Sequence, residues 1–204
     1  MQLVLVRHGE TDWNSEGRMQ GHTNIPLNAS GIAQAKRVAQ RLAEETIDAL
    51  YSSPLARARM TADVIAERTG LVPIWDDRLM ERQQGEFEGL TAVEFAQHNP
   101  DIYHVWKSSL DHVAIPGEET LVHFQDRVQA FLDQVSADHS SDQQVAIVTH
   151  GGTISMMLAA LIKWDVNRRT PFWFDNVSIS KVDLSGSRPR IRLLNDTCHV
   201  HKGA

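Results

Sequence analysis

The chain has 204 residues, 42% of them hydrophobic, and a formal net charge of −6 at pH 7. This length suffices for one domain with a full core, and we expect a single domain over residues 1–204. The acidic balance without a basic run argues against nucleic-acid and membrane-surface partners, and no apolar run is long enough to cross a bilayer. A single cysteine, Cys198, excludes an internal disulfide framework and indicates a cytoplasmic protein.

Two segments far apart in the chain each predict a buried strand that ends in a histidine. The apolar residues 3–6 lead into Arg7 and His8, and residues 145–149 lead into His150. Open α/β sheets bind ligands at the carboxyl ends of their strands, so the two histidines meet at one edge if the strands are parallel neighbours. Each segment alone is also compatible with a strand that ends in a polar cap, but the repeated pattern favours a shared site.

Two further segments carry polar side chains toward the same edge. The loop over residues 9–25 holds Asn14, Gln20 and Gly21, and polar loops at strand ends concentrate ligand contacts. Arg57 lies in the first turn of a predicted helix, beside the positively polarised N–H groups of the helix start. We therefore expect Arg57 to point at the edge that carries the two histidines.

The remaining pattern alternates between strands and amphipathic helices, which predicts an α/β fold. A helix over 29–45 is expected to begin at an N-cap at Asn28 or Ser30, and another at an N-cap at Ser53 with Pro54 in its first position. The other predicted elements are strands at 47–52, 72–75, 177–183 and 190–194, a long amphipathic helix from Leu121 to Val135 and a buried helix at 154–162.

The middle of the chain predicts an acid-bearing loop and a helical insertion. Three carboxylates of the polar segment 76–89 are candidates for acid chemistry: Glu81, Glu86 and Glu88. Solvation or helix capping is favoured for all of them except Glu81. Residues 91–110 predict two short helices interrupted by Pro100, inside an insertion of about residues 85–120 that we expect to form a lid.

Two histidines, two arginines and a carboxylate at one edge form a site suited to a tetrahedral oxyanion. Arg7 and Arg57 offer forked donors to phosphate oxygens. A neutral histidine can attack phosphorus and split one slow displacement into two faster steps, while Glu81 supplies a proton to the departing alkoxide. The chain shows no metal-ligand spacing at this site, and we expect neither a metal nor a cofactor.

Several motifs of the chain occur in the order of a known family. They are Leu5-Val6-Arg7-His8-Gly9-Glu10-Thr11 with Trp13-Asn14, Ser52-Ser53-Pro54-Leu55 with Arg57-Ala58 and Thr61-Ala62, Leu79 with Glu81, Gly85 with Glu88-Gly89, and Thr149-His150-Gly151. Together they resemble the histidine phosphatase superfamily, also called phosphoglycerate mutase-like. The resemblance implies a three-layer α/β/α fold with a mostly parallel sheet, helices on both faces and a small helical lid.

The resemblance also implies a role for each matching residue. His8 would accept the phosphoryl group and Glu81 would donate the proton. The phosphoryl group would be bound by Arg7, Asn14, Arg57 and His150, with further contacts from Gln20, Gly21 and the backbone of Gly151. Arg7, Arg57 and His150 thus join His8 and Glu81 as catalytic residues.

The family contains both phosphatases and cofactor-dependent mutases, and the sequence favours a phosphatase. Mutases resemble one another in a Glu-Arg-His-Tyr-Gly run and an arginine pair in the insertion, whereas here Glu81 is followed by Arg-Gln-Gln-Gly and residues 90–120 hold no arginine pair. The alternatives are a phosphoglycerate mutase and a non-catalytic phosphate-binding module. The expected partner is a small phosphorylated substrate, for example phosphoserine, phosphoglycerate or α-ribazole phosphate, and the family suggests a homodimer.

Overall fold

The computed structural model of the protein describes residues 1–201. In this range the strands are β1 (Gln2–Arg7), β2 (Ala49–Ser52), β3 (Pro73–Trp75), β4 (Gln144–Thr149), β5 (Ile179–Asp183) and β6 (Arg190–Asp196). The α-helices are α1 (Asp12–Ser15), α2 (Ala29–Leu42), α3 (Ala56–Thr69), α4 (Ala92–His98), α5 (Pro100–Ser108), α6 (Leu121–Asp138), α7 (Gly151–Ile162) and α8 (Cys198–His201). Short 3-10 turns occupy Asp77–Leu79 and Gly85–Phe87.

The six strands form one sheet in the order β3-β2-β4-β1-β5-β6. Strands β1 to β4 run parallel, and β5 runs antiparallel to both of its neighbours. β1 and β4 pair residue for residue, with Arg7 opposite Thr149. The prediction that the two histidine-bearing strands are parallel neighbours is therefore confirmed. The last two strands pair with each other in antiparallel orientation.

Alternate residues of the central strands point to opposite faces, and each face has its own helices. Leu3 and Leu5 share a buried cluster with α6 and α7. Val4 and Val6 share another with α2 and α3. The expected three-layer α/β/α fold is confirmed, and the helices on both faces leave the carboxyl edge of the parallel strands open.

The start of α2 agrees with the sequence prediction, whereas the start of α3 does not. Asn28 caps α2 by accepting a hydrogen bond from the N–H of Gly31. The predicted N-cap at Ser53 is wrong, because α3 begins only at Ala56 and Leu55 takes the capping position without a side-chain bond. The Ser53 hydroxyl is instead engaged by the imidazole of His150, at 2.8 Å.

The two expected short helices α4 and α5 form a separate small cluster beside the carboxyl edge. α5 begins with Pro100, and a capping box at Thr91 starts α4. The buried centre of the cluster is Phe95, which stacks on Phe87 with ring centroids 4.3 Å apart. Within residues 1–201, none of the helices combines the length and apolar character that a bilayer crossing requires.

Candidate active site

The register of β1 and β4 brings two histidines together at the carboxyl edge of the sheet. The ring centroids of His8 and His150 lie 5.1 Å apart, and both side chains are buried. The rings are tilted by 58° rather than stacked. Sequence positions separated by more than a hundred residues thus share one small volume.

The hydrogen bond of His8 fixes which nitrogen can react. Its Nδ1 lies 2.7 Å from the carbonyl oxygen of Gly9, which can only accept, so Nδ1 donates and carries the proton. Burial, followed by the charges of Arg57 and Arg7, holds the pKa of His8 well below its usual value of 6.5. The ring is therefore neutral near neutral pH, with a lone pair on Nε2.

His150 is also neutral, and both of its nitrogens are engaged. Arg57 Nε donates to His150 Nδ1 at 3.2 Å, which leaves the proton on Nε2, and Nε2 donates to the Ser53 hydroxyl at 2.8 Å. Burial first and the Arg57 charge second keep the pKa of His150 well below 6.5. His150 is thus uncharged near neutral pH, so a role as a charged donor requires proton uptake.

Arg57 is a buried cation held by backbone carbonyls. It is only 1% exposed, and its two terminal nitrogens donate to Thr23 O at 2.9 Å and Gly21 O at 2.8 Å. Burial lowers the pKa of its guanidinium to about 10, and the nearby Glu81 carboxylate opposes that shift. Arg57 therefore stays protonated at neutral pH and links helix α3 to the loop after β1.

Arg7 and Asn14 present further donors. Arg7 Nη1 donates to Phe174 O at 2.5 Å, while its buried Nε has no partner within the described residues. Asn14 Oδ1 accepts bonds from the Thr11 backbone and from Asn176 Nδ2, at 3.1 and 3.2 Å. Because the oxygen of Asn14 is occupied in this way, its amide nitrogen is the group left for a ligand.

Glu81 lies at the same edge with its carboxylate between two backbone donors. Oε1 accepts from the N–H of Arg82 and Oε2 from the N–H of Gly152, both at 2.9 Å. The carbonyl oxygen of Glu81 is also held, by His22 Nε2 at 2.7 Å and Arg127 Nη2 at 3.0 Å. The position of this carboxyl group is therefore fixed from both its backbone and its side chain.

These side chains surround one open cavity of about 490 Å³. Of the site residues expected from the sequence, the cavity is lined by Arg7, His8, Asn14, Gln20, Gly21, Arg57, Glu81 and Gly151. His150 lies behind this wall, in contact with Arg57. The buried Gln20 Oε1 has no hydrogen-bond partner among the residues described.

Sequence reasoning missed two parts of the site. Asn176, just before β5, donates to the His8 carbonyl at 3.0 Å and orients Asn14, and the preceding aromatic run 172–174 lines the cavity. In the sequence, the only sign of this part of the site is the cluster of aromatic and amide residues directly ahead of a strand. Glu88 was expected to be solvated or to cap a helix, and that expectation is wrong.

Glu88 instead ties two loops of the site together. One carboxylate oxygen accepts from the N–H groups of His22 and Gln84, both at 3.0 Å, and the other from the N–H and hydroxyl of Thr23. The backbone donors among these hold the pKa of Glu88 below its ordinary value despite the opposing effect of burial. Glu88 thereby fixes the loop whose carbonyl oxygens receive Arg57.

The chain offers one grouping of metal-binding side chains within the described residues, and it lies away from the histidine pair. Ligand atoms of Asp196, Cys198 and His199 lie within 4.8 Å of one another. Arg41 already occupies this position, with Nη1 3.0 Å from Cys198 Sγ and Nη2 3.6 Å from an Asp196 oxygen. A guanidinium so close to these ligands disfavours a cation there.

Comparison with known proteins defines the class. A model of the histidine phosphatase superfamily (branch 1) matches residues 3–197. Phosphoserine phosphatase 1 of Hydrogenobacter thermophilus is 36% identical over 98% of this chain and 94% of its own length. A metal-independent phosphoserine phosphatase of Arabidopsis thaliana is 41% identical over 75% of this chain and 65% of its own length.

The solved structures agree with the sequence comparison. A mycobacterial glucosyl-3-phosphoglycerate phosphatase, solved with VO3, superposes with a TM-score of 0.87 at 33% identity and covers 96% of this chain and 99% of its own. The chain belongs to the histidine phosphatase superfamily, and the resemblance noted from its motifs is confirmed. Within that family it is a phosphatase of small phosphorylated metabolites.

Proposed function

We propose that the protein hydrolyses phosphomonoesters through a phosphohistidine at His8, without a metal ion. The observation that carries the proposal is the hydrogen bond from His8 Nδ1 to Gly9 O, because it leaves the Nε2 lone pair at a cavity that also holds Arg7 and Arg57. The similarity to the metal-independent phosphoserine phosphatase of Arabidopsis thaliana supports metal independence. Unassisted hydrolysis of such esters is extremely slow, so positioning and charge stabilisation must supply most of the acceleration.

In the first step, His8 Nε2 attacks phosphorus and the bond from phosphorus to the ester oxygen breaks. Arg7 and Arg57 stabilise the charge that spreads over the phosphoryl oxygens, and Asn14, Gln20, Gly21 and the N–H of Gly151 add neutral contacts. Glu81, which takes up a proton when the negatively charged phosphate binds beside it, donates that proton to the leaving oxygen, which departs as an alcohol. A substrate anion also favours proton uptake by His150, which then becomes a further donor.

In the second step, water attacks the phosphohistidine and the bond from phosphorus to nitrogen breaks. Glu81, now ionised, takes the proton of the water, so that inorganic phosphate leaves and the enzyme returns to its starting state. Glu81 and the N-terminal turn of α7 line the cavity side by side, and this arrangement supports the use of one carboxyl group in both proton transfers.

The test is the hydrolysis of p-nitrophenyl phosphate in the presence of EDTA. We expect turnover that EDTA does not change and that His8→Ala lowers by at least about three orders of magnitude. Brief reaction with labelled substrate should leave an acid-labile, alkali-stable label on His8. A label on a serine, or full activity of His8→Ala, would contradict the proposal.

The same protein distinguishes the two alternative functions. A non-catalytic module would bind phosphate or vanadate without hydrolysing any ester. A mutase would interconvert 3- and 2-phosphoglycerate after priming with 2,3-bisphosphoglycerate, and we expect no such conversion. The readouts are separate: binding without hydrolysis for the module, and formation of 2-phosphoglycerate for the mutase.

We further propose that the chain acts as a single cytoplasmic domain with no nucleic-acid or membrane partner, that residues 85–120 form a lid over the site, and that it is a homodimer. The single cysteine and the charge of −6 support the compartment and the absence of such partners.

The ion pair of Arg18 with Glu94, at 2.5 Å, supports the lid by joining the loop after β1 to α4. The exposed apolar side chains of Val72, Ile74 and Trp75 at the β3 edge support a dimer, which light scattering would test.

A further inference from the structure

A second cavity of about 360 Å³ continues from the first on the far side of Glu81. Five residues line both cavities: Met19, Glu81, Gln84, Gly152 and Ser155. The outer wall of the second cavity is built from Trp106 of α5, Phe124 of α6 and the segment 166–170 after α7. A group attached to the leaving oxygen at Glu81 would therefore enter this second cavity.

Most of the basic side chains around the second cavity already contact a carboxylate. Arg82 and His112 both contact Glu118, at 3.5 and 2.6 Å, and the Glu118 side chain is only 6% exposed. Arg168 lies 3.7 Å from Asp111, and both of those side chains are more than half exposed. These groups compensate one another before any ligand arrives.

Arg169 is different, because no carboxylate of residues 1–201 lies within 4.0 Å of its guanidinium. Its Cζ sits 4.6 Å from the centroid of the Trp106 ring, and its backbone N–H donates to Leu110 O at 3.0 Å. Stacking on an aromatic face leaves the in-plane N–H groups of a guanidinium available. The Arg169 guanidinium is therefore held at the cavity wall by Trp106, with N–H donors that no carboxylate occupies.

We infer that Arg169 binds a carboxylate on the alcohol part of the substrate and so selects phosphomonoesters of small hydroxy or amino acids. One unpaired guanidinium matches one carboxylate in charge and in bidentate geometry, whereas a second phosphate dianion would call for a further cation. This inference rests on the proposed function, since it places the scissile phosphate at His8. Among the described arginines that line the second cavity, Arg169 alone has no carboxylate within 4.0 Å, so it is the residue to which we assign the specificity.

The test compares two substrates that differ only in this group. 3-Phosphoglycerate carries the carboxylate, and glycerol 3-phosphate has a hydroxymethyl group in its place. We measure the ratio of their kcat/KM values in the wild type, in Arg169→Gln and in Arg68→Gln. The last variant removes a surface arginine remote from both cavities and so controls for global charge. We expect the ratio to favour 3-phosphoglycerate in the wild type and to fall at least about tenfold in Arg169→Gln, mainly through KM, because charge-assisted hydrogen bonds are the strong ones.

Two outcomes would overturn the inference. One is an unchanged ratio in Arg169→Gln, and the other is a fall of the ratio in Arg68→Gln as large as the fall in Arg169→Gln. Either result would show that Arg169 does not bind the substrate carboxylate. Partial recovery of the ratio in Arg169→Lys would support the role of the charge, which a merely structural side chain would not give. Failure of the proposed function would be visible separately, since the wild type would then hydrolyse neither substrate.

Discussion

At the scale of single residues, the site depends on hydrogen bonds that fix protons in place. The Gly9 carbonyl selects the Nε2 lone pair of His8, and the Arg57 Nε–H selects the Nε2–H form of His150. Neither partner can be inferred from residue types alone, because the acceptor in one case is backbone and the donor in the other lies 93 positions away. The sequence therefore predicts the reacting side chains but not their tautomers.

The role of Glu81 can be tested through the leaving group. In Glu81→Gln we expect kcat for glycerol 3-phosphate to fall about 100-fold and kcat for p-nitrophenyl phosphate to fall less than about tenfold, because nitrophenolate departs without a proton. Glu86→Gln is the matched control, since Glu86 is an exposed carboxylate of the same segment. Equal losses for the two substrates would show that Glu81 is not the proton donor.

At the scale of the elements, sequence patterns predict the strands and the helix faces better than the helix starts. Strand β1 and the Asn28 cap follow from local residue types, so both are predictable. Ser53 is not the N-cap because α3 begins only at Ala56, and its hydroxyl accepts a hydrogen bond from His150, which follows β4 and which only the tertiary fold brings close. The same reason explains Glu88 and Asn176, whose partners lie on loops that only the tertiary fold brings close.

The first turn of α7 gives an element-scale prediction. A Cβ added to Gly152 would lie 2.3 Å from Glu81 Oε1, whereas one added to Gly151 would meet Arg7 Nε at an ordinary 3.7 Å. Gly152→Ala must therefore displace the Glu81 carboxylate, and we expect it to lower kcat for glycerol 3-phosphate about tenfold or more, given what a positioned acid contributes. The measurement is kcat for both alanine variants with that substrate, and a larger loss at Gly151 would contradict this account.

At the scale of the whole molecule, two buried neutral histidines link stability to pH. The pKa values of His8 and His150 are lowered by folding, so the unfolded chain binds more protons once the pH falls toward 6.5. The contribution of these two histidines to the free energy of unfolding is therefore fully present above that pH and is lost as the pH falls through the ordinary histidine range. Carboxylates with lowered pKa values, such as Glu94 at about 2, change the free energy of unfolding only in more acidic solution.

We expect the free energy of unfolding to fall between pH 7 and pH 5, by at most about 1.4 kcal/mol per pH unit for each of the two histidines. His8→Asn should remove one of these contributions and give a shallower slope. Urea denaturation of both proteins across this range provides the measurement. Parallel slopes for wild type and variant would mean that His8 does not take up a proton on unfolding.

The residue-for-residue pairing of β1 with β4 has a consequence for synthesis on the ribosome. Residues 2–7 emerge before their parallel partner, which is completed only when residue 149 has been made. Strand β1 therefore stays unpaired on that side while residues 8–149 are synthesised, because long-range pairing is a late event. A nascent chain shorter than this cannot carry out the reaction, and its apolar first strand is the segment that most needs shielding until then.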